Sequence, residues 1–248
     1  MSRAAKQPRS ATGRLRSQPA PPSFAPPGDD RSHRRLSRML LRLKRASANW
    51  QAPVLSLITA ERGDPFLVLV GCLLSLRTRD QVTAQVSARL FARARTPQEI
   101  LACGASELEK LLRPVGFYRN KTKVLIELSR ALIARHGGRV PDRLEALLAL
   151  NGVGLKTANL VLSEGFGKPA ICVDTHVHRI SNRWGLVQTR TPEQTEARLR
   201  EILPRRFWRG YNRLLVAFGQ TTCQPRSPLC SRCPVARDCP RLGVTHSR

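Results

Sequence analysis

The sequence predicts an all-α protein, and three observations support this prediction. Apolar residues recur at helical spacing from about residue 34 onward, beginning with Leu36, Met39, Leu40 and Leu43. Residues that favour helix starts and helix ends border several of these stretches. No pair of alternating strands joined by a tight turn is recognisable in the 248 residues. The expected architecture is therefore a set of helices packed on one another.

The first 33 residues differ in composition from the rest of the chain. They are rich in Arg, Ser, Pro and Ala and contain the segment PAPPSFAPPGDD. Such a segment has too few apolar side chains to bury a core, so we expect residues 1–33 to form a disordered basic tail. The tail lacks the apolar stretch of a secretory signal, whereas its arginines leave a mitochondrial transit peptide open.

Sequence signals place several helices along the remaining chain. Residues 66–76 are mostly apolar but fall short of the roughly 20 residues that a membrane span needs, which predicts a buried core helix and no membrane partner. Thr96-Pro97 and Thr191-Pro192 open two further helices, because threonine caps a first turn and proline fits its first position. Thr122–His136 is amphipathic and stops at Gly137-Gly138, a typical C-terminal cap.

The charge of the chain is strongly positive. It contains 43 Lys and Arg against 17 Asp and Glu, a net charge of +26 with histidine neutral. Residues 46–248 carry 31 basic and 15 acidic side chains, so the excess is not confined to the tail. A basic globular body favours a polyanionic partner, and nucleic acid is the first candidate. Membrane binding is disfavoured, because no basic helix with a clean apolar face stands out.

A glycine pair links two helical stretches near the middle of the chain. The first stretch covers residues 142–150 and the second begins at about Leu155, with Gly152 and Gly154 between them. Glycine lets the chain turn sharply, and the backbone N–H groups at a helix N-terminus favour a phosphate. This arrangement is typical of a helix–hairpin–helix, which grips the DNA backbone without reading its sequence.

Lys156 and Asp174 are the candidate catalytic residues, and each also has a plainer explanation. Lys156 follows the hairpin by two residues, where it could simply contact another phosphate. Asp174 follows the apolar segment AICV and opens a helix, where aspartate is a good N-cap. If both side chains meet in one cleft, the amine can act as a nucleophile and the carboxylate as its charge partner.

Four of the seven cysteines lie in the last thirty residues with the spacing C-x6-C-x2-C-x5-C, namely Cys223, Cys230, Cys233 and Cys239. The loop between them is rich in proline and poor in apolar side chains, so it needs an internal cross-link. A four-thiolate iron–sulfur cluster is favoured by the spacing and the context. A zinc site and two disulfides are the alternatives, although zinc sites more often show two CxxC pairs.

The motifs LNGVGLKTA and VDTHVHRISNR and the cysteine loop, in this order, resemble the endonuclease III family of DNA glycosylases. The resemblance runs from about Ala52 to Cys239 and includes LLSLRTRDQV and VGFYRNK. It implies a base-excision-repair enzyme that is both a DNA glycosylase and an AP lyase, acting at apurinic or apyrimidinic sites. Such an enzyme removes oxidised pyrimidines by nucleotide flipping and Schiff-base formation, and cuts the strand by β-elimination 3′ to the abasic site.

The resemblance also implies a [4Fe–4S] cluster and two helical domains on either side of a DNA cleft. One domain is a six-helix barrel that includes the hairpin, here residues 58–168. The other is discontinuous, because it joins residues 34–57 to residues 169–248, and it carries the cluster loop.

Matched position by position, Lys156 corresponds to the family's Schiff-base lysine and Asp174 to its catalytic aspartate. Phe117 matches the side chain that wedges into the DNA stack, and the four cysteines of the loop match the cluster ligands. The expected DNA contacts are Arg77, Phe117, Gly152, Val153, Gly154, Thr157, His176 and Arg179.

Two positions depart from the family pattern. Arg77 stands where many members have a glutamine that fills the gap left by the flipped base, which leaves the preference for the opposite base open. Asn151 stands where proline is usual. The hairpin should persist, because the glycines make the turn.

Two alternatives stay open at this point: a repair protein with lyase or DNA-binding activity but weak or no glycosylase activity, and an adenine-mispair glycosylase. Relatives of the second kind usually lack the lysine found at Lys156. The expected partner is double-stranded DNA with oxidised bases or abasic sites, bound by a monomer. Arginine outnumbers lysine 36 to 7, which indicates a GC-rich and bacterial source. We therefore expect a cytoplasmic location at the nucleoid, or the nucleus or mitochondrion in a eukaryote.

The charge distribution leads to a first prediction. Affinity for undamaged duplex DNA should fall steeply with salt, because each phosphate contact releases counterions. Removal of the tail should weaken this non-specific binding and leave lesion processing intact. Binding titrations over a salt series, with full-length and truncated protein, measure both effects. Loss of catalysis at low salt after truncation would contradict an electrostatic accessory role for the tail.

Overall fold

A computed structural model describes residues 30–50 and 63–248. Within these two ranges the chain forms ten α-helices and no β-strand, which confirms the all-α prediction. None of these helices is both long and apolar enough to cross a membrane. The helices are α1 (Asp30–Ala46), α2 (Pro65–Ser75), α3 (Asp80–Arg93), α4 (Pro97–Leu112), α5 (Tyr118–His136), α6 (Leu144–Leu148), α7 (Leu155–Leu160), α8 (Thr175–Arg183), α9 (Pro192–Ile202) and α10 (Trp208–Thr221).

The start of α1 corrects the predicted end of the tail. The helix begins at Asp30, so residues 30–33 are helical and not part of a disordered segment. The composition of a segment does not mark the residue at which a helix begins, so it placed the end of the tail four residues too late. Residues 1–29 lie outside the described part of the chain, and their disorder stays a prediction. A truncation that tests the tail should therefore end at residue 29.

Local capping signals place the other helix ends close to their predicted positions. The Thr96 hydroxyl accepts from the backbone N–H of Glu99, and the Glu99 carboxylate accepts from the N–H of Thr96. This capping box fixes the start of α4. Thr191 caps α9 through its hydroxyl. Gly137 ends α5 in the left-handed conformation, with φ of 59°, whereas α5 starts at Tyr118, four residues earlier than predicted.

The first hydrophobic core is built around α2. Asp64 caps this helix by accepting from the N–H groups of Phe66 and Leu67, and every residue from Phe66 to Leu74 is buried. The predicted buried core helix is therefore confirmed. Helices α3, α4, α5 and α7 surround it with apolar side chains that include Leu90, Ile100 and Leu128. Each fully buried side chain of this size contributes about 1.5–3 kcal/mol to the hydrophobic stabilisation.

The second core joins the two ends of the described chain. Helix α1 packs with the C-terminal helices, whose largest buried side chains are Trp184, Tyr211 and Phe218. The ring of Trp50, just after α1, stacks on Phe218 with a centroid distance of 5.8 Å. Residues far apart in sequence therefore share one core. Helix α1 is amphipathic and buries its apolar face against the C-terminal helices.

A short extended segment, residues 170–173, connects the two cores. Ala170 and Cys172 belong to the first core, whereas Ile171 and Val173 belong to the second. Successive side chains of an extended backbone point to opposite sides, so one segment can bury residues in both cores. The proposed division is residues 58–168 and residues 34–57 with 169–248, whereas the first core also includes Ala170 and Cys172, and residues 51–62 lie outside the described part. We retain these boundaries as a proposal.

Candidate active site

A cavity of about 370 Å³ lies between the two cores. Helix α7 contributes Lys156 and Leu160 to its wall, and the turn before α8 contributes Asp174. The further polar side chains around the cavity are Ser75, Asp80, Glu164, Thr175, His176, Glu193, Asn212, Arg213 and Gln220. The two residues that the sequence singled out as catalytic candidates therefore lie in one cleft, although 18 positions separate them.

Helix α7 presents Lys156 to this cavity. Gly154 is its N-cap residue, and Lys156 is the second residue of the helix. Thr157, Ala158 and Leu160 are buried and fix the rotation of the helix against the first core. Because Thr157 is buried, its side chain does not reach the protein surface as a phosphate contact would require.

Asp174 is the N-cap of α8, as the sequence predicted. Its Oδ1 accepts from the backbone N–H groups of His176 and Val177, both at 2.9 Å. Among the described residues, no hydrogen bond to the other oxygen, Oδ2, is present. Capping thus occupies one oxygen of the carboxylate and holds the side chain in place. The second oxygen is available for another role at the cavity.

Two buried thiols lie near the cavity and are poor competitors for the nucleophile. Burial raises the pKa of Cys72 to about 12 and raises the pKa of Cys172 well above its ordinary value. Both thiols therefore stay neutral near pH 7, and a neutral thiol is a weak nucleophile. The positive charge of Lys156 opposes this rise in the pKa of both thiols.

A hydrogen bond crosses the cleft from one core to the other. Gln220 of α10 donates to Asp80 of α3 at 2.8 Å. The sequence analysis did not single out this pair, nor Glu164 and Glu193 on the cavity wall. Asp80 lies inside the motif LLSLRTRDQV, and Gln220 lies three residues before the first loop cysteine. Their closeness to these motifs is the sequence signal that could have identified the pair.

The hairpin exposes its glycines and buries the residue between them. Gly152 has φ of 80°, in the left-handed region that glycine tolerates, and a Cβ there would lie 2.7 Å from Cγ1 of Val124. Gly154 is exposed, and nothing lies within 4 Å of a Cβ added there. Val153 is only 6% exposed, and its N–H donates to the carbonyl of Leu150. The exposed backbone at Gly152 and Gly154 is therefore the part of the hairpin that can approach a phosphate.

Asn151 does not disturb this turn. Its side-chain amide donates to Glu127 Oε2 at 2.6 Å and ties the hairpin to α5. The departure from proline is thus accommodated by a surface hydrogen bond.

Arg77 and Phe117, the expected wedge residues, lie together at one edge of the first core. The Arg77 guanidinium carbon lies 5.5 Å from the centroid of the Phe117 ring, and the Phe117 side chain is 63% exposed. Both residues have positive φ, 52° and 58°. An exposed aromatic held in a sparsely populated conformation is typical of a functional position.

His176 and Arg179 pack against α10 and are only partly exposed. A Cβ on Gly219 would lie 2.3 Å from His176 Nδ1, so the imidazole packs directly on this glycine. Burial lowers the pKa of His176. Arg179 donates to the carbonyl of Cys223 at 2.8 Å, which joins α8 to the cysteine loop. The guanidinium of Arg179 therefore already has protein acceptors.

The four loop cysteines surround a small apolar pocket next to Arg183. None of the seven cysteines, all of which lie in the described part of the chain, forms a disulfide. Buried Arg183 donates to the carbonyls of Gln224 and Pro225, and its Nη1 lies 3.4 Å from Cys223 Sγ. Burial raises the pKa of Cys233 to about 11. Within the described ranges, no three His, Cys, Asp or Glu side chains are placed so that together they could hold a metal ion.

Comparison with known proteins identifies the family. Residues 70–205 match the model of the HhH-GPD superfamily of base excision DNA repair proteins. The chain belongs to this superfamily. Endonuclease III of Thermotoga maritima is 51% identical over 176 residues, which cover 71% of this chain and 83% of that protein. Endonuclease III-like protein 1 of Bos taurus is 44% identical over 178 residues. These residues cover 71% of this chain and 58% of the cattle protein.

A solved structure extends the likeness to the fold. A non-covalent endonuclease III–DNA complex superposes with a TM-score of 0.74 at 34% identity, covering 84% of this chain and 94% of that one. The protein is thus a base-excision-repair enzyme of the endonuclease III type, a DNA glycosylase and AP lyase that acts on damaged duplex DNA. An iron–sulfur cluster is typical of that family.

Proposed function

We propose that this enzyme removes oxidised pyrimidines from duplex DNA, with Lys156 as the nucleophile and Asp174 as its charge partner. The observation that carries the proposal is the single cavity that holds both side chains between the two cores. The bacterial nucleoid, suggested by the arginine-rich composition, is the proposed place of action.

Nucleotide flipping comes first, because the glycosidic bond cannot be reached inside a stacked duplex. The exposed backbone of Gly152 and Gly154 would hold a phosphate on one side of the lesion. Phe117 and Arg77, on the adjacent edge of the same core, would fill the space that the flipped nucleotide leaves. Both groups of contacts lie close together, because Arg77, Phe117 and Gly152 line one cavity beside the first core.

Lys156 would then carry the bond changes. The lone pair of its amine attacks C1′ of the sugar, the glycosidic bond breaks, and the base leaves with the bonding electrons and a proton. Opening of the sugar ring gives an imine between Lys156 and C1′. This imine acidifies C2′, so a proton is lost there, a double bond forms to C3′, and the C3′–oxygen bond breaks. Water later releases the lysine.

Asp174 would stabilise the positive charge that develops on the sugar as the base departs. Its Oδ1 is held by two backbone N–H groups, so the carboxylate does not need to reorganise during the reaction. A charge that is held in place in this way stabilises the transition state more than a charge on a mobile side chain does. The carboxylate can also accept or return a proton at the ring oxygen or the amine.

The cysteine loop fits a [4Fe–4S] cluster held by Cys223, Cys230, Cys233 and Cys239. Each thiolate of such a cluster binds a different iron atom, so the four ligands need not converge on one point as they must around zinc. Metal binding would ionise thiols whose pKa burial raises, and Arg183 would offset part of the added negative charge. When bound, the cluster would cross-link the loop. Arg226, Arg232 and Arg237 of this loop are exposed and could contact phosphates.

Substitution of the two proposed catalytic residues tests the mechanism directly. Lys156→Gln should abolish the covalent complex trapped with borohydride while DNA binding is retained. Asp174→Asn keeps an N-cap, so binding should survive while base excision falls by about two orders of magnitude. Trapping and single-turnover assays on duplexes with a panel of lesions measure both and also report the lesion preference.

Matched controls for these variants are available on the surface. Lys168 and Asp142 form an exposed ion pair at 2.6 Å, and Lys168→Gln and Asp142→Asn should leave trapping and excision unchanged. Covalent trapping that persists in Lys156→Gln would identify another amine as the nucleophile. Nearly full base excision by Asp174→Asn would show that Asp174 serves only as the N-cap of α8.

The wedge assignment predicts different losses on two substrates. Phe117→Ala should slow base excision much more than cleavage of a preformed abasic site, because flipping a stacked base costs a few kcal/mol, roughly, and an abasic site needs less. Arg77→Gln should change the dependence on the opposite base, because glutamine adds an acceptor that arginine lacks. Leu41→Ala, an exposed apolar residue on α1, is the control. Equal losses on both substrates would place these side chains outside the opened helix.

Metal analysis tests the cluster assignment. Purified protein should be yellow-brown, with broad absorbance near about 400 nm and about four iron atoms per chain. Cys230→Ala should lose iron together with folding or DNA affinity, whereas Cys103→Ala, a buried cysteine outside the loop, should keep its iron. Stoichiometric zinc without iron would refute the assignment.

A further inference from the structure

Two loops carry the proposed wedge residues, and both contain a strained position. We call residues 76–79 and residues 115–117 the wedge loops. Arg77 in the first and Phe117 in the second have positive φ, a conformation that side chains other than glycine rarely adopt. Strained residues of this kind persist only where the surrounding structure holds them. The contacts that hold these two loops are therefore of functional interest.

Lys121 contacts both loops. Its ammonium group donates to the carbonyl oxygens of Leu74 and Leu76, each at 2.7 Å, and to the hydroxyl oxygen of Thr78 at 2.9 Å. Three donors thus meet three acceptors, the full capacity of a lysine. The backbone N–H of Lys121 donates to the carbonyl of Phe117 at 3.0 Å. A single residue therefore ties the end of α2 and the first wedge loop to the backbone of the second.

Thr78 extends this network directly between the loops. Besides accepting from Lys121, its hydroxyl oxygen accepts from the backbone N–H of Gly116 at 3.3 Å. The loops touch at this point, because a Cβ on Gly116 would lie 2.8 Å from the carbonyl oxygen of Arg77. Glycine at position 116 allows this approach, and Lys121 and Thr78 fix it.

The position of Lys121 is unfavourable for a residue that serves stability alone. The side chain is only 9% exposed, and burial lowers its pKa to about 8. A buried cation costs free energy, so a lysine is retained at such a position where its hydrogen bonds fix a particular conformation. A cavity of about 400 Å³, lined by Leu73, Val124 and both wedge residues, adjoins Lys121. This cavity gives the loops room to collapse inward if their ties are removed.

We propose that Lys121 is a positioning residue that holds Arg77 and Phe117 in the conformation in which they enter the DNA stack. The proposal rests on the wedge role given to these two residues in the proposed function. Lys121 itself does not touch the reacting atoms. It acts through the backbone of the two loops, so its loss should affect the opening of the helix and not the chemistry at the sugar.

Lys121→Met tests this proposal, because methionine keeps the length of the side chain and removes its charge and donors. Base excision should fall at least about tenfold, while cleavage of a preformed abasic site should stay within about threefold. Lys123→Met, an exposed lysine on the same helix, is the matched control and should change neither activity. Lys121→Arg should restore much of the excision, because the adjoining cavity has space for the guanidinium group and its donors.

A fluorescent base gives a readout that a purely structural role would not move. 2-Aminopurine, placed opposite a stable abasic-site analogue in duplex DNA, brightens when it is unstacked. Wild-type protein and Lys123→Met should raise this fluorescence at saturation, whereas Lys121→Met should lose most of the rise while it remains folded and bound. Equal losses of excision and abasic cleavage by folded Lys121→Met, or an unchanged fluorescence rise, would overturn the proposal.

Two further variants separate the possible failures. If Phe117→Ala loses the fluorescence rise and Lys121→Met does not, the wedge role stands and the role of Lys121 is refuted. If Phe117→Ala keeps both excision and the fluorescence rise, the wedge assignment itself fails and the proposal for Lys121 fails with it.

If Lys121→Met does not fold, Thr78→Val is the alternative variant. It removes only the hydroxyl that bridges Lys121 and Gly116. Excision by that variant should fall about fivefold while abasic-site cleavage stays within about threefold, and wild-type excision would count against the proposal.

Discussion

The extended segment 170–173 is the constraint on which the site depends. Its alternating side chains bury Ala170 and Cys172 in one core and Ile171 and Val173 in the other. A shift of one residue would exchange the two sets and expose apolar surface in both cores, so the register is strongly specified. The next residue is Asp174, which therefore reaches the cavity at a fixed position relative to both halves. The position of Asp174 in the cavity thus follows from packing on either side of a four-residue segment.

Buried and half-buried cations in this protein are satisfied mainly by backbone carbonyls. Arg183 and Arg179 donate to carbonyls of the cysteine loop, and Lys121 donates to the end of α2. With 17 acidic residues against 43 basic ones, carboxylate partners are scarce. Carbonyl partners leave the positive charge uncancelled, so the same contacts that order the loops keep the surface attractive to phosphate. Structure and affinity for DNA are thus supported by one set of interactions.

Features that depend on a few neighbouring residues could be predicted from the sequence. The capping box at Thr96, the cap at Asp174 and the left-handed Gly137 each follow from side chains within three or four positions. The start of α1 was missed because the composition of a segment does not mark the residue at which a helix begins. Val153 was expected to contact DNA with its glycine neighbours, but its side chain packs in the first core. The period of apolar residues along the chain does not predict the direction of a side chain in a turn between two glycines.

The sequence by itself determined the fold class, the helix ends that carry capping signals, the hairpin turn and, through three motifs in a fixed order, the resemblance to endonuclease III. These are local properties, set by the period of apolar residues and by backbone preferences. Only the tertiary structure decided that Lys156 and Asp174 share a cavity, that Gln220 reaches Asp80 across it, and that Arg77 meets Phe117. It also placed Lys121 between the wedge loops, a role that no spacing indicates. Such meetings depend on how distant helices bury their apolar faces against each other, which a single sequence does not encode in any local pattern.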